Sequence, residues 1–161
     1  MAQGTLVLFD EFADSIADGR INLLTNTIRV ALTSDVVNTG NMIKSAAVPC
    51  WGAGGSTNLS TNEVASTGGY TAGGITLGGK TFDQTGGVAT FDSTTDLIWT
   101  SAGSDPTNIK TAVIYSDTAT NKDCIGYIDM TTDAGTTPIS LLTGDITLTF
   151  NASGIFTLTN P

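Results

Sequence analysis

Apolar positions recur along this chain in two rhythms. Near the start, Phe9, Phe12, Ala13 and Ile16 stand at i, i+3, i+4 and i+7, while Asp10, Glu11, Asp14 and Asp18 fall largely off that face. The spacing predicts one amphipathic helix over residues 5–19. Early acids suit the positive end of its dipole, and Gly19-Arg20 reads as its stop. From Thr27 the period becomes two, with Ile28, Val30 and Leu32 on one face of a strand. Further short strands are predicted at Ile75–Leu77, Gly87–Phe91, Leu97–Thr100, Thr111–Tyr115, Cys124–Met130, Gly144–Phe150 and Gly154–Thr159, each bounded by turn residues. The last two, joined through Asn151-Ala152-Ser153-Gly154, read as a tight hairpin.

This pattern predicts a mainly β fold: an antiparallel sandwich or barrel of about seven or eight strands with one short N-terminal helix. Residues 1–161 are expected to form a single domain. Within it, residues 35–74 stand apart. They hold eight glycines among scattered Ser, Thr and Asn with little periodicity. So long a stretch without elements is expected to be functional, or an extended arm that takes its order from a neighbour.

Composition narrows the function classes. Only 13% of residues are charged, while threonine occurs 29 times and glycine 19 times. That excludes a coiled coil or a helical bundle. The net charge of −9 argues against nucleic acid as a partner, since phosphates call for a basic stripe. No apolar run is long enough for a transmembrane helix, so no membrane is expected either. Histidine is absent, which removes Ser-His-Asp and Cys-His nucleophile pairs and imidazole-ligated metals. Residues 1–8 carry no basic, apolar export pattern, so Cys50 and Cys124 are expected as two reduced, packed thiols.

The remaining candidate chemistry is weak. Asp92 with Asp96 could pair as acid and base, but both stand in turn-like contexts where Asp caps its own backbone. Asp117, Asn121 and Asp123 offer hard oxygen ligands on one loop, yet their spacing is not that of an EF-hand. Gly79-Lys80-Thr81 mimics the end of a phosphate loop without the upstream glycine or the helix that such a loop needs. No catalytic, cofactor-binding or metal-binding residue is assigned, and no cofactor is expected. Large aromatics offer a different use. Trp99, Tyr115 and Tyr127 lie in predicted strands and are expected to complete the core. Trp51, in the loop-rich arm, suits an anchor at a subunit contact or burial under its own loop.

Ordered blocks along the chain carry a resemblance. They run from Gly19-Arg20-Ile21-Asn22-Leu23-Leu24 into Thr27–Ser34, then Asn62-Glu63-Val64 and Gly69-Tyr70-Thr71-Ala72-Gly73-Gly74. Phe91-Asp92, Asp96-Leu97-Ile98-Trp99, Ala112-Val113-Ile114-Tyr115, Ile125-Gly126-Tyr127-Ile128-Asp129 and Gly154-Ile155-Phe156-Thr157-Leu158 complete the set. In this order the chain resembles small β-rich virion structural proteins of tailed bacteriophages and prophages. It departs from their pattern between Asp35 and Trp51, where it is longer. The resemblance implies a non-enzymatic virion component, a capsid decoration (cement) protein that binds the major capsid protein and copies of itself, as a trimer if it caps a lattice threefold. It implies residence in the phage head after synthesis in the bacterial cytoplasm. A tail, fibre or baseplate component is the alternative, followed by a carbohydrate- or calcium-binding β module. Phe9, Phe12, Trp51 and Tyr70 are the interface candidates.

Overall fold

A computed structural model describes residues 2–159. Among these residues twelve strands form several sheets, all antiparallel except one short parallel pair, alongside one α-helix. The central sheet contains β1 (Leu6–Leu8), β2 (Ile28–Thr33), β5 (Ile75–Thr76), β9 (Thr111–Ser116) and β10 (Cys124–Asp129), in the order β1-β10-β9-β2-β5. The helix α1 spans Glu11–Ala17. Strands β8 (Leu97–Trp99) and β11 (Ile146–Leu148) pair with each other. A three-stranded sheet runs β12 (Phe156–Thr159), β7 (Val88–Ser93), β6 (Lys80–Thr85). Strands β3 (Pro49–Cys50) and β4 (Thr57–Asn58) form the parallel pair. The sheets are open, so the barrel alternative is set aside.

The central sheet is buried on both faces, which is why β9 and β10 read as continuous apolar runs rather than alternating ones. Ile28, Val30, Leu32, Ala112, Ile114 and Ile128 point into one core, shared with Phe12 of the helix, Phe91, Leu97, Trp99 and Leu148 of the smaller sheets. Ala31, Val113, Tyr115 and Tyr127 point the other way. A bulge between Cys124 and Gly126 makes this possible, because it lets Cys124 and Tyr127, three residues apart, share that second face.

Three expectations need correction. The 5–19 segment is a strand followed by a helix: Leu6–Leu8 pairs with β10 along the sheet edge, and only Glu11–Ala17 is helical. A short apolar run is ambiguous between the two states until an edge is there to receive it. Phe9 and Phe12 therefore do not share a face. The chain crosses the sheet edge between them, so Phe9 packs against Tyr127 in one core and Phe12 edge-on against Phe156 in the other. The predicted C-terminal hairpin does not form either. Gly154 N–H does close a turn onto Asn151, but β11 leaves to pair Leu148 with Leu97, and β12 leaves to pair Phe156 with Phe91. Each strand gains a buried apolar partner that the hairpin would not supply.

The third correction concerns the arm. Residues 37–59 fold back over the second face of their own central sheet, where Val37, Met42, Ala46, Trp51 and Leu59 complete a buried cluster, while Val64 and Tyr70 join the first core. An extended sheet face made of Ala31, Val113, Tyr115 and Tyr127 would otherwise be wet, and covering it offsets the entropy of ordering a loop.

Candidate interaction surface

The four interface candidates all lie inside the molecule. Trp51 stacks on Tyr115 with centroids 5.0 Å apart and planes 18° apart, closing the arm onto the sheet. Tyr70 is 1% exposed. Its hydroxyl donates to Glu63 Oε1 at 2.7 Å and accepts from Leu32 N–H at 3.1 Å. Phe9 and Phe12 are buried as described. None of these side chains offers surface to another chain, and of the two readings of Trp51 its place is burial within its own chain. Their sequence signal, a large aromatic in a loop or an amphipathic segment, reported burial without saying that this chain itself supplies the cover.

The Gly69–Gly74 block is a structural knot. Glu63 accepts from both Tyr70 and Gly73 N–H, Tyr115 donates to the Gly73 carbonyl at 2.9 Å, and Arg29 Nη2 donates to the Gly74 carbonyl at 2.6 Å. Burial pushes the Tyr70 and Tyr115 phenols well above their ordinary values. These residues tie the loop to the central sheet.

Most of the acidic candidates have partners elsewhere. Asp123, nearly buried, meets Arg20 Nη1 at 2.5 Å, and Asp117 meets Lys122 at 2.8 Å and Arg29 at 3.7 Å. Asp92 accepts from the N–H of Ser93 at 2.8 Å, and Asp96 is exposed. Among the described residues, no group of three or more Cys, Asp or Glu side chains is placed to hold a metal ion. Gly79-Lys80-Thr81 leads into β6, where Lys80 donates to the Asn26 carbonyl and burial lowers its pKa. No helix of the described residues is long and apolar enough to cross a membrane.

Two polar centres escaped the sequence reading. Asp105 accepts from Gly69 N–H at 2.5 Å, Ala102 N–H at 2.9 Å and Ser101 Oγ at 3.1 Å. These bonds, led by Gly69, hold its carboxyl below the usual range. Thr33, Thr111 and Asp129 lie abreast across β2, β9 and β10, all fully buried. There Asp129 binds Thr131 N–H at 2.9 Å and Thr131 Oγ1 at 2.8 Å, while Thr111 donates to the Asp35 carbonyl at 2.6 Å. Only the Ser-x-x-x-Asp-Pro run before the first centre hinted at a capped loop.

Cys50 and Cys124 are both buried and unbridged. Burial, reinforced by the charge of Asp123, pushes the Cys50 thiol up to about 11, and burial raises Cys124 as well. A raised thiol pKa favours the folded state below the ordinary value and withdraws that stability as pH climbs toward the folded value. Melting temperature should therefore hold to about pH 9 and fall between there and pH 11, with a shallower fall for Cys50→Ala. In the folded protein at pH 8 neither thiol should react with a disulfide reagent, and both should react in denaturant. Rapid labelling of the native chain would refute the buried, protonated assignment.

The surface does present some large apolar side chains: Leu24, Phe82, Ile98, Leu142 and Leu158. Leu24 (51% exposed), Phe82 (36%) and Leu158 (42%) line an open groove of about 470 Å³ floored by Ile16, Ile21 and Leu23. It lies between the exit of α1 and the three-stranded sheet. In that sheet Phe82, Phe91 and Phe156 stand abreast on one face, with Gln84, Ala89 and Leu158 in the next row. The helix covers the first row through Phe12. The second row, exposed at Gln84 and Leu158, continues the apolar face toward the hairpin tip. An apolar surface of this kind is suited to protein association. Comparison with protein-family models, with curated proteins and with solved structures finds no match for the chain.

Proposed function

We propose that this chain is a non-enzymatic structural protein of a bacteriophage virion, a decoration protein that binds the major capsid protein lattice and stabilises the head. The observation that carries the reading is the pairing of an open apolar groove on the outer sheet with polar residues committed to loops and ion pairs. Such a molecule works through surface. We read the central sheet and the smaller sheets facing it as a sandwich-like framework for that surface, consistent with the β-rich character of the proteins it resembles. The charge of −9 suits a basic patch on the partner and discourages adsorption to packaged nucleic acid.

A decoration protein stabilises its shell because it binds assembled lattice more tightly than free subunits. At a free concentration a hundredfold above Kd that linkage is worth about 2.7 kcal/mol per site. Purified particles should therefore contain the chain, labelled density should cover the head, and particles stripped of it should lose their contents at lower temperature. Density confined to the tail would transfer the chain to the tail, fibre or baseplate class, and absence from particles would end the virion reading.

A further inference from the structure

The three-stranded sheet ends in an unpaired edge. β6 has β7 on one side and, among the described residues, no strand on the other. Its hairpin turns through Gly86 (φ 58°) and Gly87 (φ 84°), the two positive dihedrals of a two-residue type I′ turn. In that turn the closing pair, Thr85 and Val88, exchanges both backbone hydrogen bonds. Alternation then directs the N–H and C=O groups of Asp83 and Thr81 toward β7 as well. Those of Lys80, Phe82 and Gln84 point outward, and among the described residues no other backbone group pairs with them. Exposed edges of this length are usually protected by charge, proline or a cover. This one has neither proline nor a strong charge: Lys80 and Asp83 cancel, and they are the only charged residues between Thr71 and Phe91. Residues 146–159, which include the other outer strand of the sheet, carry no charge at all.

We propose that β6 is a two-fold, antiparallel pairing edge for a second copy of this chain. The outward residues dictate the register. With the axis between the two Phe82 residues, Phe82 pairs with its own copy, and Lys80 pairs with Gln84 of the other, using all the free backbone groups of Lys80, Phe82 and Gln84. Two-fold symmetry keeps the same face up, so the row Phe156-Phe91-Phe82 continues across the axis into its copy as one apolar face of a six-stranded sheet. Thr81 falls opposite Asp83 on the polar face, where its hydroxyl donates to the carboxylate twice across the axis. No like charges meet directly. Local neutrality matters because the chain as a whole carries −9, and two copies repel everywhere except along a neutral edge. A six-residue edge buries little surface, so the dimer is weak and concentration-dependent in solution. This inference goes beyond the virion reading and stands without it.

The test uses the full chain, free of capsids, by sedimentation equilibrium and mild oxidative crosslinking. The wild type should pass from monomer to dimer at high micromolar concentrations, more readily as salt rises. Gln84→Pro removes one outward N–H but no bond to β7, so it should weaken association at least tenfold with an unchanged circular dichroism spectrum. Phe82→Cys places two thiols in a hydrogen-bonded pair with Cα atoms about 5.5 Å apart, within the range of roughly 4.4–6.8 Å that a disulfide spans. It should yield covalent dimer. Gln84→Cys sets its two thiols about 14 Å apart, at roughly 3.4 Å per residue over four residues, and should not. A monomer at every concentration overturns the proposal. So does a closed trimer, a dimer indifferent to Gln84→Pro, equal crosslinking by both cysteine variants, or an edge that pairs only with a capsid protein.

Discussion

Trp99→Ala should be among the most damaging single changes in this chain. Trp99 is the largest fully buried side chain, 1% exposed, and stands on β8 where the small sheets meet Ile28, Val30 and Leu32 of the central one. Truncation removes an aromatic ring from the junction of three sheets, whose backbones are each held by their own ladders and collapse only partly into the space. Losses of about 3–5 kcal/mol are typical of such truncations. For a chain of this size each kcal/mol corresponds to roughly 2–4 °C in Tm, so calorimetry should show a large drop. Trp99→Phe separates packing from polar effects. The indole N–H meets no protein acceptor, so phenylalanine forfeits volume without breaking a protein hydrogen bond and should cost a fraction as much. Equal losses for the two variants would show that the indole itself carries the stability.

Gly74→Ala is the second change expected to act strongly, through backbone rather than volume. Gly74 has φ +69°, and a Cβ there would lie 1.9 Å from the Val30 carbonyl oxygen and 2.6 Å from Ala31 Cα. Both atoms are backbone atoms of β2, an inner strand of the sheet, and neither can swing aside as a side chain can. The strain of a left-handed alanine, about 1–3 kcal/mol, adds to a clash of about 1–3 kcal/mol for overpacking. The adjacent residue supplies the control. Gly73 also has positive φ (+82°), but its nearest neighbour is the Tyr115 hydroxyl at 3.2 Å, so Gly73→Ala should carry the dihedral strain with little clash. Thermal melts of the two variants should differ by several degrees. If they coincide, the close approach of this loop to β2 is not what holds β5 in place.

The period-two pattern of Ile28, Val30 and Leu32 and the apolar runs at Thr111–Tyr115 and Cys124–Met130 were legible because burial imposes a regular demand on consecutive side chains. β6 was not. Its sequence Lys-Thr-Phe-Asp-Gln-Thr has one large apolar residue, so an edge strand with one wet face leaves almost no hydrophobic signature. The same property that hid it makes it a candidate for pairing. The candidate site was misread for a related reason. Phe9, Phe12, Trp51 and Tyr70 announce that something must bury them, and a sequence cannot say whether that cover is the same chain or another. The buried centres around Asp105 and Asp129 were missed because their partners are backbone N–H groups and hydroxyls brought in by loops far along the chain.

By itself the sequence determined that the chain is mainly β with one helix, that its thiols are packed away, and that imidazole chemistry is closed to it. Each of these depends on composition or on neighbours a few residues apart, where propensity and periodicity act directly. Tertiary structure alone decided which strands pair, that residues 35–74 pack on their own chain, and that the exposed large apolar side chains are Leu24, Phe82, Ile98, Leu142 and Leu158 rather than the aromatics of the arm. Those outcomes compare the burial of distant segments against one another, and a competition of that kind is resolved only when the whole chain has folded.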